Sequence, residues 1–204
     1  LEAARNFCNK LWNAARFVLM HVEDPGGDAS DVTAGNLALE DRWILHRLNQ
    51  TVRTVDTMLE NFEIGEAAQA LYDFIWSEYC DWYIEMVKPR LHQGGAGGQT
   101  AQKVLATVLE TALRLLHPFM PFITEELWRV TGEAGPKRES MLVLASWTRP
   151  SGLVDEKAEA EIGWLVDLVS AVRSVRSEMN VPAGAQIPLV LIAGEETRER
   201  AGRW

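Results

Sequence analysis

The sequence predicts a mainly α-helical protein. A helical bundle is expected over residues 1–150, followed over residues 151–204 by the start of a small α/β piece, a helix plus a strand. Three observations carry this reading. Apolar residues recur at helical spacing in six separate stretches. Proline and glycine cluster at the joints between them. Only two short runs, Ser140–Trp147 and Ile187–Ile192, read as extended. At 204 residues the chain is long enough for one large or two small domains with a core.

The first helix spans Leu1 to Val22. Ala4, Phe7, Leu11, Ala15, Val18 and Val22 share one face, and Asn6, Asn9, Asn13 and Arg16 share the opposite one. Asparagine is a mediocre helix former, because its amide competes for backbone hydrogen bonds. Three on one face need a reason. They can face water or bond a neighbouring backbone, or they can form a binding surface, and spacing leaves both open. A polar loop, Glu23–Asn36, follows with Pro25, Gly26, Gly27 and Gly35.

The second helix runs from Leu39 to Phe62 on a stripe of Ile44, Leu48, Val52, Val55 and Leu59. Trp43 falls about 140° from the centre of that stripe, with His46 beside it and Arg47 one turn on. Such a tryptophan is either a contact with another element or an exposed stacking platform. The third helix, Ile64–Val87, holds Leu71, Tyr72, Phe74, Ile75, Trp76, Tyr79, Trp82, Tyr83 and Met86. An apolar arc that wide belongs to a central helix. Pro89 is expected to stop it, with Lys88 and Arg90 suiting its C-terminal end.

Gln93–Gln99, rich in glycine, reads as a flexible connection without the lysine of a P-loop. The fourth helix covers Thr100–His117. The fifth starts at Pro121 and runs to Thr131, with Gly132 as its stop. A last helix, Asp155–Met179, precedes the Ile187–Ile192 strand. One helix and one strand bury each other poorly. That fact, a start at Leu1 and an end at Trp204 together suggest a piece of a longer protein.

Composition excludes several classes. Cys8 and Cys80 lie far apart, with no spacing for a disulfide framework or a structural zinc, which fits a reducing compartment. No run approaches a membrane span, and no signal segment opens the chain. The net charge of −9 counts against indiscriminate coating of nucleic acid, but the charge is uneven. The first helix has Arg5, Lys10 and Arg16 against Glu2, while Asp73, Glu78, Asp81 and Glu85 gather on the third. His21, His46, His92 and His117 form no HExxH pair and sit beside no nucleophile motif. Glu125 and Glu126 are neighbours, so they point about 100° apart on a helix, a poor geometry for shared acid–base work.

Longer strings say more. RNFCNKLWNAARFVL (Arg5–Leu19) resembles the helix that opens the anticodon-binding domain of the valyl-tRNA synthetase family. DRWILHRLN (Asp41–Asn49), WSEYCDWYIEMVKPRL (Trp76–Leu91) and LHPFMPFITEELW (Leu116–Trp128) resemble that family's next segments in the same order. The second and fourth strings are shared among the class I synthetases for valine, isoleucine, leucine and methionine; the first favours valine. VRSVRSEMNVPAG (Val172–Gly184) resembles the start of the family's small α/β junction, which a coiled coil follows.

The resemblance implies the anticodon-binding helical bundle of class I synthetases, at the C-terminal part of an enzyme that joins valine to its tRNA using ATP. HIGH-like and KMSKS-like motifs are not present, so no catalytic residue is assigned here, no metal and no cofactor. ATP and Mg belong to a catalytic domain elsewhere in the parent. The implied partner is tRNA(Val) through its anticodon loop, with no DNA and no membrane, in a cytoplasmic monomer. Unstacked loop bases are read on their edges, and one asparagine offers both a donor and an acceptor. The candidate tRNA-binding residues are therefore Asn6, Asn9 and Asn13 for base edges, Trp43 for stacking, and Lys10, Arg16, Arg42 and Arg47 for phosphates, with Lys88 and Arg90 as weaker ones. A helical protein–protein module acting without RNA is the competing reading of a different class.

Overall fold

A computed structural model of the chain describes residues 2–21, 37–134, 138–150, 152–182 and 184–204. The expected loop Glu23–Asn36 lies outside the described residues. The described chain divides into two units, Leu1–Ala158 and Glu159–Trp204.

In the first unit, α1 (Glu2–His21) and α2 (Leu39–Glu60) are followed by one continuous helical rod. The rod comprises α3 (Ile64–Asp73), a π-helical segment (Phe74–Tyr83) and α4 (Ile84–Gln93). Then come α5 (Gly95–Leu116), α6 (Pro121–Ala134) and a single 3₁₀ turn at Leu142–Leu144. The main neighbours of α1 are the π-helical segment, α5 and α6, while α2 packs on α3, the π-helical segment and α5. The core sits between them, built from Leu11 and Ala15 of α1, Ile44 and Val55 of α2, Leu71, Ile75 and Tyr79 of the rod, and Leu105, Leu109 and Leu113 of α5.

The rod differs from the expected third helix in two ways, and both come from tertiary contacts. Its middle is wide-turned, which stacks Tyr79 on Tyr83 with ring centroids 6.3 Å apart and sends their hydroxyls in different directions. Tyr79 donates to the Leu105 carbonyl of α5 at 2.9 Å, and Tyr83 donates to Asp41 of α2 at 2.7 Å. Pro89 also fails to end the helix, which continues to Gln93. Its missing N–H leaves one carbonyl unpaired, but the turn is held from outside by Arg90. That guanidinium bonds Asp41 through two nitrogens, at 2.9 and 2.8 Å, and Glu40 at 2.6 Å.

Arg90 also explains the glycine run. The expected flexible connection is instead the first turn of α5, which begins at Gly95 after a break at Gly94, where φ is +68°. Arg90 donates to the Gly97 carbonyl at 3.0 Å. A Cβ on Gly98 would meet the Arg90 carbonyl oxygen at 3.0 Å, so a side chain there would push the two helices apart.

At the other end of α5, Gly132 lies inside α6 rather than stopping it. Arg138 folds back so closely over it that a Cβ there would collide with the arginine stem. From there Arg138 lies 3.8 Å from the Trp128 ring centre and bonds Glu110 at 2.9 Å. Arg114 takes the ring from a second position, at 4.7 Å. Burial works to raise the Glu110 carboxyl, and the hydrogen bonds from Arg114 and Arg138 outweigh it, holding the group below its ordinary range.

The joint before α6 has its own polar lock. Thr124 Oγ1 lies 2.8 Å from the Met120 carbonyl, to which it donates, and 2.8 Å from His117 Nδ1. Glu125 accepts from the Leu142 backbone N–H at 2.8 Å, which fastens the expected extended run Ser140–Trp147 as a turn on α6. Glu125 is thus a structural clasp.

The second unit holds most of α7 (Glu156–Glu178) and α8 (Glu195–Ala201). Glu161 pairs with Arg200 and Arg203 at 3.0 and 2.9 Å and accepts from Trp204 Nε1 at 3.2 Å. The expected strand Ile187–Ile192 runs without a ladder partner among the described residues, and Ile187, Leu189, Val190 and Ile192 are exposed. A strand without a neighbour has nothing to pair its backbone groups. Among the described residues no helix is long and apolar enough to cross a membrane.

Candidate nucleic-acid interface

Of the stripe expected on α1, Phe7, Leu11, Ala15 and Val18 are buried, Ala4 is exposed, and Val22 lies outside the described residues. Ala14 is buried as well, while Asn6, Asn9, Asn13 and Arg16 are exposed. The structure assigns these four no side-chain hydrogen bond or ion pair with another described residue. Of the two bland explanations, a bond to a neighbouring backbone therefore finds no support. The amides stand one turn apart along a rigid helix with donors and acceptors free.

The remaining candidates have other occupations. Lys10 pairs with Asp81 and lies 4.2 Å from the centre of the Trp76 ring. Trp76 is itself stacked on Tyr72, 5.4 Å away, and on Phe7. Lys10 thus closes an aromatic stack between α1 and the π-helical segment. Arg47 grips Glu78 through two nitrogens at 2.8 and 2.7 Å and reaches Gln50 at 2.6 Å. Arg42 pairs with Asp155 at 3.1 Å. Of the weaker candidates, Lys88 pairs with Glu85, and Arg90 is consumed by Glu40 and Asp41. Three of the acids that the sequence shows gathered on the third helix, Glu78, Asp81 and Glu85, are the partners of Arg47, Lys10 and Lys88 in space. A phosphate approaching these cations would have to displace a carboxylate.

Trp43 is corrected outright as a stacking platform: it is 4% exposed. The cause lies more than a hundred residues away. His46 Nδ1 accepts from the Asp155 backbone N–H at 3.0 Å, and Asn49 donates to the Leu153 carbonyl at 3.1 Å. The segment after Pro150 therefore covers a second face of α2. Trp43 lies between that face and the side held by Arg47 and Glu78, so the first half of α2 is buried on nearly every side.

Two residues missing from the sequence-based set share the open face of α1. Arg5 and Trp12 are both exposed, Trp12 at 43%. A 100° wheel puts Trp12 about 60° from Asn9 and about 40° from Arg16. The helical spacing of Arg5 and Trp12 to Asn9 and Arg16 is the signal in the sequence that marks them. Among the described residues, no group of three or more His, Cys, Asp or Glu side chains could hold a metal ion.

Residues 41–191 match the family described as the anticodon-binding domain of tRNA ligase. The chain belongs to that family. A valine–tRNA ligase of Carboxydothermus hydrogenoformans is 46% identical over 203 residues, covering 98% of this chain and 22% of the relative. That of Bartonella henselae is 48% identical over 193 residues, covering 94% and 21%. That of Caulobacter vibrioides is 46% identical over 208 residues, covering 100% and 22%. The chain thus spans about a fifth of the length of these ligases. The family match begins at Asp41, the residue that ties α2 to Tyr83 and Arg90, and it includes the rod, α5 and α6. In this anticodon-binding domain α1 precedes the matched region, while the ligase relatives align over nearly the whole chain.

Proposed function

We propose that the chain is the anticodon-reading part of a valine–tRNA ligase, and that the open face of α1 contacts the anticodon loop of tRNA(Val). The observation that carries this is the row Asn6, Asn9, Asn13 and Arg16, exposed and uncommitted on a helix whose other face anchors a bundle of the anticodon-binding family. Asparagine amides match the mixed donor and acceptor edges of splayed bases, and Arg16 supplies positive charge beside them. Arg42, Arg47 and Lys10 contribute by fixing the scaffold and contact phosphate only by exchanging their carboxylates.

Valine activation and transfer, with ATP and Mg, belong to parts of the ligase outside this chain. The ligase acts as a cytoplasmic monomer in this reading. The test uses the full-length ligase. Asn9→Ala weakens tRNA(Val) binding about 3–10-fold, the worth of one net hydrogen bond, with the melting temperature unchanged. Arg16→Gln flattens the slope of log affinity against log salt by about 0.7, one single-strand phosphate contact. Wild-type affinity in the first variant together with an unchanged slope in the second removes α1 from the interface.

A further inference from the structure

The chain has eight tryptophans, and the exposed ones divide by their partners. Trp147 donates to Asp56 at 2.8 Å, and Trp204 donates to Glu161 at 3.2 Å. Trp12 is just as open, yet among the described residues it has no ring neighbour, no cation over its face and no acceptor for its indole N–H. The half-buried Trp76 and the buried Trp128 are both clasped by cations.

Trp12 is not on a random part of the surface. Successive turns of α1 bring Arg5, Asn9, Trp12 and Arg16 onto one arc, at spacings of about four, three and four residues. Arg5 and Arg16 flank the indole, exposed and without an acidic partner among the described residues. In a chain of net charge −9, this arc joins positive charge, amide edges and a flat apolar ring. A single-stranded nucleic acid fits all three: phosphate against arginine, base edge against amide, base face against indole.

We infer that Trp12 is the stacking platform of the interface: an unpaired loop base lies on its exposed ring while Asn9 and Asn13 read base edges beside it. This rests on the anticodon-loop reading of α1 and gives it a residue that positions a base. Stacking is tolerant of sequence because every base has a π face, so Trp12 adds affinity and holds the base in register, and the amides discriminate.

The experiment uses the full-length ligase with tRNA(Val) carrying 2-aminopurine singly at anticodon-loop positions. With wild-type protein, one position shows fluorescence quenching on binding. Trp12→Phe keeps the quenching and binds within about threefold. Trp12→Leu, which preserves apolar bulk without a π face, loses the quenching and binds about tenfold more weakly, with an unchanged melting temperature. The inference is overturned if Trp12→Leu retains both quenching and affinity, or if a fluorinated indole at position 12 reports burial by protein before RNA is added. A loss confined to Asn9→Ala would sink the stack and leave the anticodon-loop reading standing. Wild-type binding by both variants would sink that reading as well.

Discussion

Asp41 shows how much one side chain can organise. It is fully buried and gathers four donor contacts: the Ala38 backbone N–H at 3.1 Å, the Tyr83 hydroxyl and two Arg90 nitrogens. It caps α2 and ties that helix to both the π-helical segment and α4. Burial, the Asp41 charge and the hydrogen bond to it push the Tyr83 phenol well above its ordinary value, so the phenol stays a donor at any working pH. Burial opposes the charge on Arg90, and the bonds and charge of Asp41 outweigh it. Tyr83→Phe removes one bond and leaves Arg90 to satisfy the carboxylate, at a cost of about 1 kcal/mol. Asp41→Ala strips Arg90 of its buried partner and costs about 3–5 kcal/mol. Amide exchange of α2 and α4 checks both: a small acceleration is expected for the first variant and a large one for the second. Equal acceleration would show that the carboxylate does not hold the two helices together.

At the scale of elements, α1 and the π-helical segment divide the labour. Helix α1 buries one face and leaves the other open, and the segment supplies what fixes α1 in place: Trp76 under Lys10, and Asp81 as that lysine's partner. Cys80 sits within this seam. Burial raises its thiol from 9.0 to about 12; Lys10 pulls the value down and Asp81 pushes it up. The thiolate is the reactive form, so at pH 8 Cys80 should alkylate at least about 100-fold more slowly than glutathione in a Cys8→Ser background. Lys10→Met should change that rate, because it removes the charge beside the thiol and unlatches the seam. A fast Cys80 in the Cys8→Ser protein would mean that the seam opens readily and that α1 is not rigidly presented.

Across the whole molecule, what the sequence made legible was local. The faces of α1, the apolar stripe of α2 and the span of most helices follow from residues within a turn or two of one another, where periodicity is informative. What it hid was distant. The pairs Lys10–Asp81 and Arg47–Glu78 join positions 71 and 31 residues apart, so four charges that looked free or segregated are tied. Trp43 looked off the core because the segment that covers α2 arrives only at Leu153–Asp155. Pro89 and the glycine run read as breaks because Arg90's grip on Asp41 and on the Gly97 carbonyl is invisible in either stretch alone. Among the described cations of the candidate set, Arg16 is exposed and assigned no acidic partner, and it stands on the same face as the asparagines.

A face that reads anticodon bases governs discrimination between anticodons more directly than overall affinity. The full-length ligase is titrated with tRNA(Val) and with the same tRNA carrying a swapped anticodon, first as wild type and then as Asn9→Ala/Asn13→Ala. Wild type is expected to prefer the native anticodon strongly, and the double variant to lose most of that preference while keeping its fold. A preference undiminished in the double variant would contradict a base-reading role for the asparagine face.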